Sequence, residues 1–286
     1  MAEYITKIRT NEGDKQIDYA ALANLPGINN NLLINSDFRI NQRGKNSYIQ
    51  TNTWKYSVDR WKYIGLMTVT VNESGTVTLS KSDNNDKTYF SQQLEDIHGA
   101  GNFTFSFRVK SISGTMEAYI EGGDGGILTV TAPGTYQISS SSGAKGVNFR
   151  LAGSTATVEL QWAKLEIGTV ATAFISRLRA EEFALCRRYY KKYDNNYFIG
   201  VGMATSEGVA LSLPQEPMRT RSPQLNILTT MYFNPCNELN SKFVQLTADY
   251  AAIHEHIQIV VFKLGTATPG EIGRVYGAFE LDAEIY

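Results

Sequence analysis

The chain has 286 residues, enough for two domains with sizeable cores, and its 27 Lys and Arg against 28 Asp and Glu leave a formal net charge of −1. That balance argues against a strongly basic nucleic-acid binder and against a polybasic membrane anchor. Charged residues make up only 19% and aromatics 11%, while Ser, Thr and Asn are abundant, which suits β-sandwiches with polar loops and disfavours helical bundles and coiled coils.

Residues 1–28 are mostly polar around the segment Gln16 to Gly27 (QIDYAALANLPG), which ends in a Pro-Gly turn signal. Asp18 is a candidate cap for one or two helical turns, with Ile17 and Leu22 as a small apolar face. So short an element cannot bury itself, so the segment reads as an attachment and oligomerisation piece that orders against another chain, or as a frayed tail.

From Asn31 the period becomes two, most clearly where Phe103, Phe105, Phe107 and Val109 alternate with Thr104, Ser106, Arg108 and Lys110. Further strands are predicted over 66–71, 76–79, 88–94, 115–120, 127–131, 147–151 and 155–167, separated by turn chemistry such as Gly122 to Gly126 (GGDGG). Strands at that spacing predict a two-sheet sandwich over 29–178. Its inner face is expected to hold Phe103, Phe105, Phe107 and Trp162, with a bulge near Ala163 where the phase changes.

Residues 176–193 break the alternation. Leu178, Phe183, Leu185, Cys186, Tyr189 and Tyr190 fall at helical spacings, acids lead and bases end the segment, and a linking helix over 179–193 is predicted. Alternation then resumes, which predicts a second, smaller β head domain over 194–286. The fold class is therefore all-β: a jelly-roll-like sandwich and a smaller C-terminal β-sandwich joined by one helix, behind a short N-terminal attachment segment.

Signatures of catalysis are scarce. The chain shows no nucleophile elbow, P-loop, HExxH or Rossmann fingerprint, and it has only three histidines. Cys186 and Cys236 stand in no CxxC or Cys/His cluster and read as free thiols. The N-terminus lacks the apolar core of a signal peptide and no apolar run is long enough to cross a bilayer, so a protein made in a cytoplasm and not inserted in a membrane is expected.

Binding candidates are aromatics beside polar groups. In the sandwich these are Trp54, Tyr56 and Asp59, where a ring can stack on a sugar and a carboxylate can bond its hydroxyls; the alternative is an Asp59–Arg60 pair that ties a loop beside a buried Trp61. In the head, Tyr232, Asn234 and Asn237 surround a proline-fixed turn and form a second candidate. His254 and His256 lie two apart on one strand face. A threefold axis would gather six imidazoles from them, an arrangement suited to iron; the alternative is a solvated polar face.

Four motifs resemble the tailed-phage fibre and receptor-binding proteins: Asn31 to Gly44 (NLLINSDFRINQRG), Tyr56 to Trp61 (YSVDRW), Gln161 to Thr172 (QWAKLEIGTVAT) and Glu181 to Tyr190 (EEFALCRRYY). Pro217 to Pro223 (PMRTRSP) and Phe279 to Ile285 (FELDAEI) are similar to that family's head, and Ile17 to Pro26 to segments that precede shafts. The resemblance implies a non-catalytic virion protein, usually a homotrimer. It would be attached through its N-terminus to the phage tail or capsid, would contact a bacterial surface glycan, and would be assembled in the host cytoplasm. The opening motif is also similar to jelly-roll carbohydrate-binding modules, some of which hold a structural calcium. Here the last strand lacks the acid that such a site uses, leaving backbone carbonyls and Asp37 as ligands. Two alternatives stand beside the adhesin: a small polysaccharide depolymerase, and a purely structural capsid or baseplate decoration protein.

Overall fold

The computed structural model describes residues 7–10, 13–16, 30–82, 88–202, 208–213, 218–220, 223–235, 244–253, 258–263 and 272–284. The candidate helical turn at Asp18, and Asn237, His254, His256 and Cys236, lie outside them. The chain is all-β, as its alternation predicts: two β-sandwich or barrel-like units joined by one short helix.

Near the N-terminus Lys7–Thr10 (β1) pairs antiparallel with Gly13–Gln16 (β2). The first unit then uses Ser47–Tyr48 (β3), Thr51–Tyr56 (β4), Lys62–Gly65 (β5), Met67–Val71 (β6), Val77–Lys81 (β7), Tyr89–His98 (β8), Phe103–Glu121 (β9), Leu128–Val130 (β10), Gly134–Ser140 (β11) and Ala144–Ile167 (β12). The sequence divides β12 in two at Gly153, but it is one bent strand, and β9 likewise absorbs two predicted strands. Their leading and trailing halves serve different layers. Gly146–Ala152 of β12 pairs with Thr115–Glu121 of β9 and with β8, whereas Thr157–Ile167 pairs with Phe103–Ser113 and its first part with β7. At the corner Gly114 has φ +86°, and an added Cβ would lie 2.5 Å from the Thr155 carbonyl oxygen, so glycine alone fits.

Phe38, Trp61, Phe90, Phe105, Phe107 and Phe149 fill this unit's core. Trp61 stacks on Phe90 at 4.9 Å between ring centroids, Phe107 meets Phe149 edge-on at 5.1 Å, and the Trp61 Nε1–H donates to the Asn35 carbonyl at 2.9 Å. Trp162 corrects the sequence reading. Leu160 lies opposite Val109 and Trp162 opposite Arg108, so the bulge falls at Gln161, ahead of Ala163. One extra residue there turns Trp162 to the outer face and leaves Ala163 and Leu165 inside.

The helix α1 spans Arg179–Arg187, with Glu181 and Glu182 in its first turn and Arg187 in its last. It is shorter than predicted, because Tyr190–Tyr193 is taken up in a strand against Phe279–Asp282. The second unit contains Tyr190–Gly202 (β13), Gly208–Leu213 (β14), Gln224–Ile227 (β15), Met231–Pro235 (β16), Val244–Ile253 (β17), Gln258–Lys263 (β18) and Ile272–Asp282 (β19). Its antiparallel pairings run β13-β14-β18-β17-β16-β19 and return to β13, so the sheet closes on itself around Leu211, Met231, Phe233, Val260, Phe262, Val275 and Phe279. Two short stretches from earlier in the chain, Ile40–Gly44 and Val58–Arg60, belong to this unit as well.

Candidate functional site

The first unit presents a groove on the outer face of the layer formed by β4, β5, β8, β12 and β9. Strand register builds it row by row, since residues paired across an antiparallel ladder project to the same side. Lys62, Ser91, Asn148 and Tyr119 form one row, with Ile64, Tyr89, Arg150 and Glu117 on one side of it and Gln93, Gly146 and Glu121 on the other. The intervening row, Tyr63, Phe90, Phe149 and Ala118, points to the core. Trp54, Tyr89 and Tyr119 supply half-buried rings around a space of about 260 Å³, and Lys62, Ser91, Gln93, Asn148 and Glu121 line the rest.

The polar groups are held in place by one another. The Lys62 ammonium donates to Gln93 Oε1 at 2.9 Å and lies 4.8 Å from the Trp54 ring centre. Ser91 Oγ donates to Asn148 Oδ1 at 2.5 Å, and Asn148 Nδ2 donates to Glu121 Oε2 at 3.2 Å. Arg150 Nε donates to Glu117 at 2.6 Å, and Arg150 sits opposite Tyr89 in the ladder. Burial, with Tyr89 and Glu121 nearby, pushes the Tyr119 phenol up, so it stays a hydroxyl donor at neutral pH. Trp54 and Tyr89 meet at 6.3 Å and 40°. The result is a partly apolar trough with fixed donors and acceptors, which suits a ring-shaped ligand bearing hydroxyl groups.

The other predicted site residues fall elsewhere. Tyr56 is buried and does not line the groove. Asp59 is fully buried in the second unit, where Gln42 donates to it from its backbone N–H at 2.9 Å and its side chain at 2.5 Å, and Arg43 approaches at 3.8 Å. Arg60, the partner that the sequence alternative gave Asp59, donates from Nη1 to Glu284 Oε2 at 2.7 Å, and its guanidinium carbon lies 3.6 Å over the Tyr189 ring centre. Burial raises the Asp59 carboxyl to about 6, against the pull of Arg43 and Gln42. Burial would lower Arg43, but Glu284, Asp59 and Asp282 together hold it above its ordinary value. Arg43 also stacks over Tyr190 at 3.9 Å, and the Tyr190 hydroxyl bonds Glu280. Arg219 Nε donates to the Ala283 carbonyl at 2.6 Å. The motifs around residues 43, 59–60, 189–190, 219 and 280–284, scattered through the sequence, thus meet in one buried network.

Tyr232 lies in β16, half-buried between buried Met231 and Phe233, and Asn234 pairs with Arg274 in the same ladder, so this stretch is strand where a turn was expected. Asp37, the expected calcium ligand, bonds the Arg39 guanidinium at 2.5 Å. Among the described residues no group of three or more His, Cys, Asp or Glu is placed to hold a metal ion, and no helix is long and apolar enough to cross a membrane.

Lys62, Tyr89, Ser91, Gln93, Tyr119, Glu121 and Asn148 escaped the sequence reading, although their strands did not. The available signal was aromatic and amide residues on the outward phase of strands whose inward phase is apolar.

No family model matches the sequence, and no curated protein matches it. Among solved structures it is similar to the N-terminal CBM22-1-CBM22-2 tandem domain of Xyn10C from Paenibacillus barcinonensis, at 10% identity over 91% of this chain and 98% of that one, with a TM-score of 0.29. A protein of Bacteroides ovatus assigned as an alpha-L-fucosidase follows at 9% identity and a TM-score of 0.21, over 70% of this chain and 34% of its own. A chain of the Sulfolobus Turreted Icosahedral Virus structure matches at 10% identity, 87% and 78% coverage and a TM-score of 0.18. At such scores these likenesses fix neither fold nor ligand.

Proposed function

We propose that the protein is a non-catalytic glycan-binding protein whose first unit takes a saccharide in the Trp54 groove. The observation that carries this reading is the convergence of Trp54, Tyr89 and Tyr119 from three strands over a floor of fixed hydroxyl, amide and ammonium groups. Aromatic rings stack on the C–H faces of a pyranose, and the floor supplies paired donors and acceptors for its hydroxyls. Among the described residues Glu121 is the one carboxylate lining the groove, and it is already bonded to Asn148, which supports binding over hydrolysis, because most glycosidases need two carboxylates.

The motif resemblance supports placing this binding on a phage fibre, a homotrimer anchored at its N-terminus that engages a bacterial surface glycan. Three weak sites on one particle would then act together. The test is titration of the full chain against purified bacterial surface polysaccharides. Trp54→Ala with Tyr119→Ala is expected to lower affinity at least about tenfold, since each ring contributes about 1 kcal/mol or more, with the urea midpoint nearly unchanged. Unchanged affinity in the double variant would remove the groove from the proposal, and release of new reducing ends would favour the depolymerase. Light scattering that gives a monomer mass at micromolar concentration would count against the fibre.

A further inference from the structure

A second groove lies on the outer face of the other layer of the same unit, between β11 and the segment that follows β12. It encloses about 350 Å³ and is lined by Ser106, Thr135, Tyr136, Gln137, Trp162 and residues 171–174. Trp162, turned outward by the bulge, stacks on Phe174 at 4.7 Å and 6°, and Tyr136 stacks over Phe107 at 5.7 Å. The 171–174 wall is pinned from beneath by a buried ion pair, Lys164 to Glu166 at 3.1 Å. Glu166 accepts from the Thr172 N–H at 2.9 Å and its hydroxyl at 2.6 Å, and Lys164 bonds Thr172 and the Ala173 carbonyl. Two buried charges thus hold a strap over an outer sheet face. Under it Ser106 Oγ is buried and has no hydrogen-bond partner among the described residues, and a buried hydroxyl left unpaired costs free energy.

We infer that this groove is a second saccharide site, which makes the unit bivalent where the Trp54 groove also binds. The two grooves differ in charge: Lys62 and Glu121 line the first, whereas among the described residues the lining of the second is uncharged, with Arg108 bonded to Thr135 at its rim. An outward-facing Trp162 ring beside the Ser106 and Thr135 hydroxyls and the Gln137 amide, with Arg108 donating to Thr135 Oγ1 at 3.2 Å from the rim, matches a hydroxyl-rich glycan ring better than a peptide terminus. The volume is within the range of small-ligand sites. Saccharide binding here stands whether or not the Trp54 groove binds a glycan; only the bivalency rests on that reading.

The chain's three tryptophans provide the test, since Trp54 lies in the first groove, Trp61 in the core and Trp162 in the second groove. Full-length Trp54→Phe is titrated with maltohexaose, cellohexaose, mannohexaose and xylohexaose while acrylamide quenching of emission is followed. At least one probe is expected to shield Trp162, and the protection should vanish in Trp54→Phe with Trp162→Phe. Ser106→Ala is expected to weaken that binding about fivefold without lowering the urea midpoint, because a hydroxyl with no partner leaves none behind. A merely structural strap predicts no protection by any of the four, and that result overturns the inference. So does protection that survives Trp162→Phe. Failure of the first groove would instead show as unchanged surface-polysaccharide affinity in Trp54→Ala with Tyr119→Ala, so the two outcomes are separable.

Discussion

The two units treat polar groups in opposite ways. In the first, an aromatic core fixes the strands, and Lys62, Ser91 and Asn148, on one outer face, are bonded to their neighbours along the floor of a groove. In the second, Arg43, Arg60, Asp59 and Glu284 are turned inward and consumed in mutual contacts. Trp54 and Asp59 are five positions apart, yet one lines an open groove and the other is sealed inside a charge network. A charged residue beside an aromatic in sequence is therefore no guide to a binding site; what matters is whether its bonding capacity is already spent.

The largest expected effects set one core against the other. Phe105→Ala, in the first unit, is expected to cost roughly 3 to 5 kcal/mol in urea denaturation followed by tryptophan emission; a cost below about 1 kcal/mol would mean that the phenylalanine face is not core. Glu284→Gln is expected to cost roughly 3 kcal/mol or more by circular dichroism, because it strands the buried Arg60 guanidinium. A near-neutral result would mean that water enters the network and that the contrast between the units is weaker than the contacts imply.

Acid titration sharpens the contrast further. Asp59 titrates at about 6 in the fold against an ordinary 3.8, so the folded chain binds this proton more tightly than the unfolded one. Its contribution is fully present below the lower value and is lost as pH rises through about 6, a change of about 3 kcal/mol. Between pH 4 and pH 7 the stability of the native chain should fall relative to that of Asp59→Asn; parallel curves would show that Arg43 compensates the burial. The smallest expected effect belongs to Tyr232→Ala, which should leave surface-polysaccharide affinity unchanged and cost at most about 1 kcal/mol. A clear loss of binding would move the glycan site to the second unit.

Local sequence determined the all-β class, the helix start with its leading acids, and the inward phase of Phe103, Phe105 and Phe107, because alternation and turn chemistry act over a few residues. It also carried the outward phase of Tyr89, Tyr119 and Asn148, unrecognised as a site because nothing local says which strands become neighbours. That depends on non-local pairing, which sets β4, β5, β8, β12 and β9 side by side and so assembles a groove from residues 54 to 148. A single-residue bulge at Gln161 likewise decides whether Trp162 is core or groove wall, and only the ladder to β9 fixes its place. The motifs near residues 43, 59, 190 and 284 are legible as motifs, but their role as one buried network appears only when burial removes water, so that each charge must find its partner within the fold.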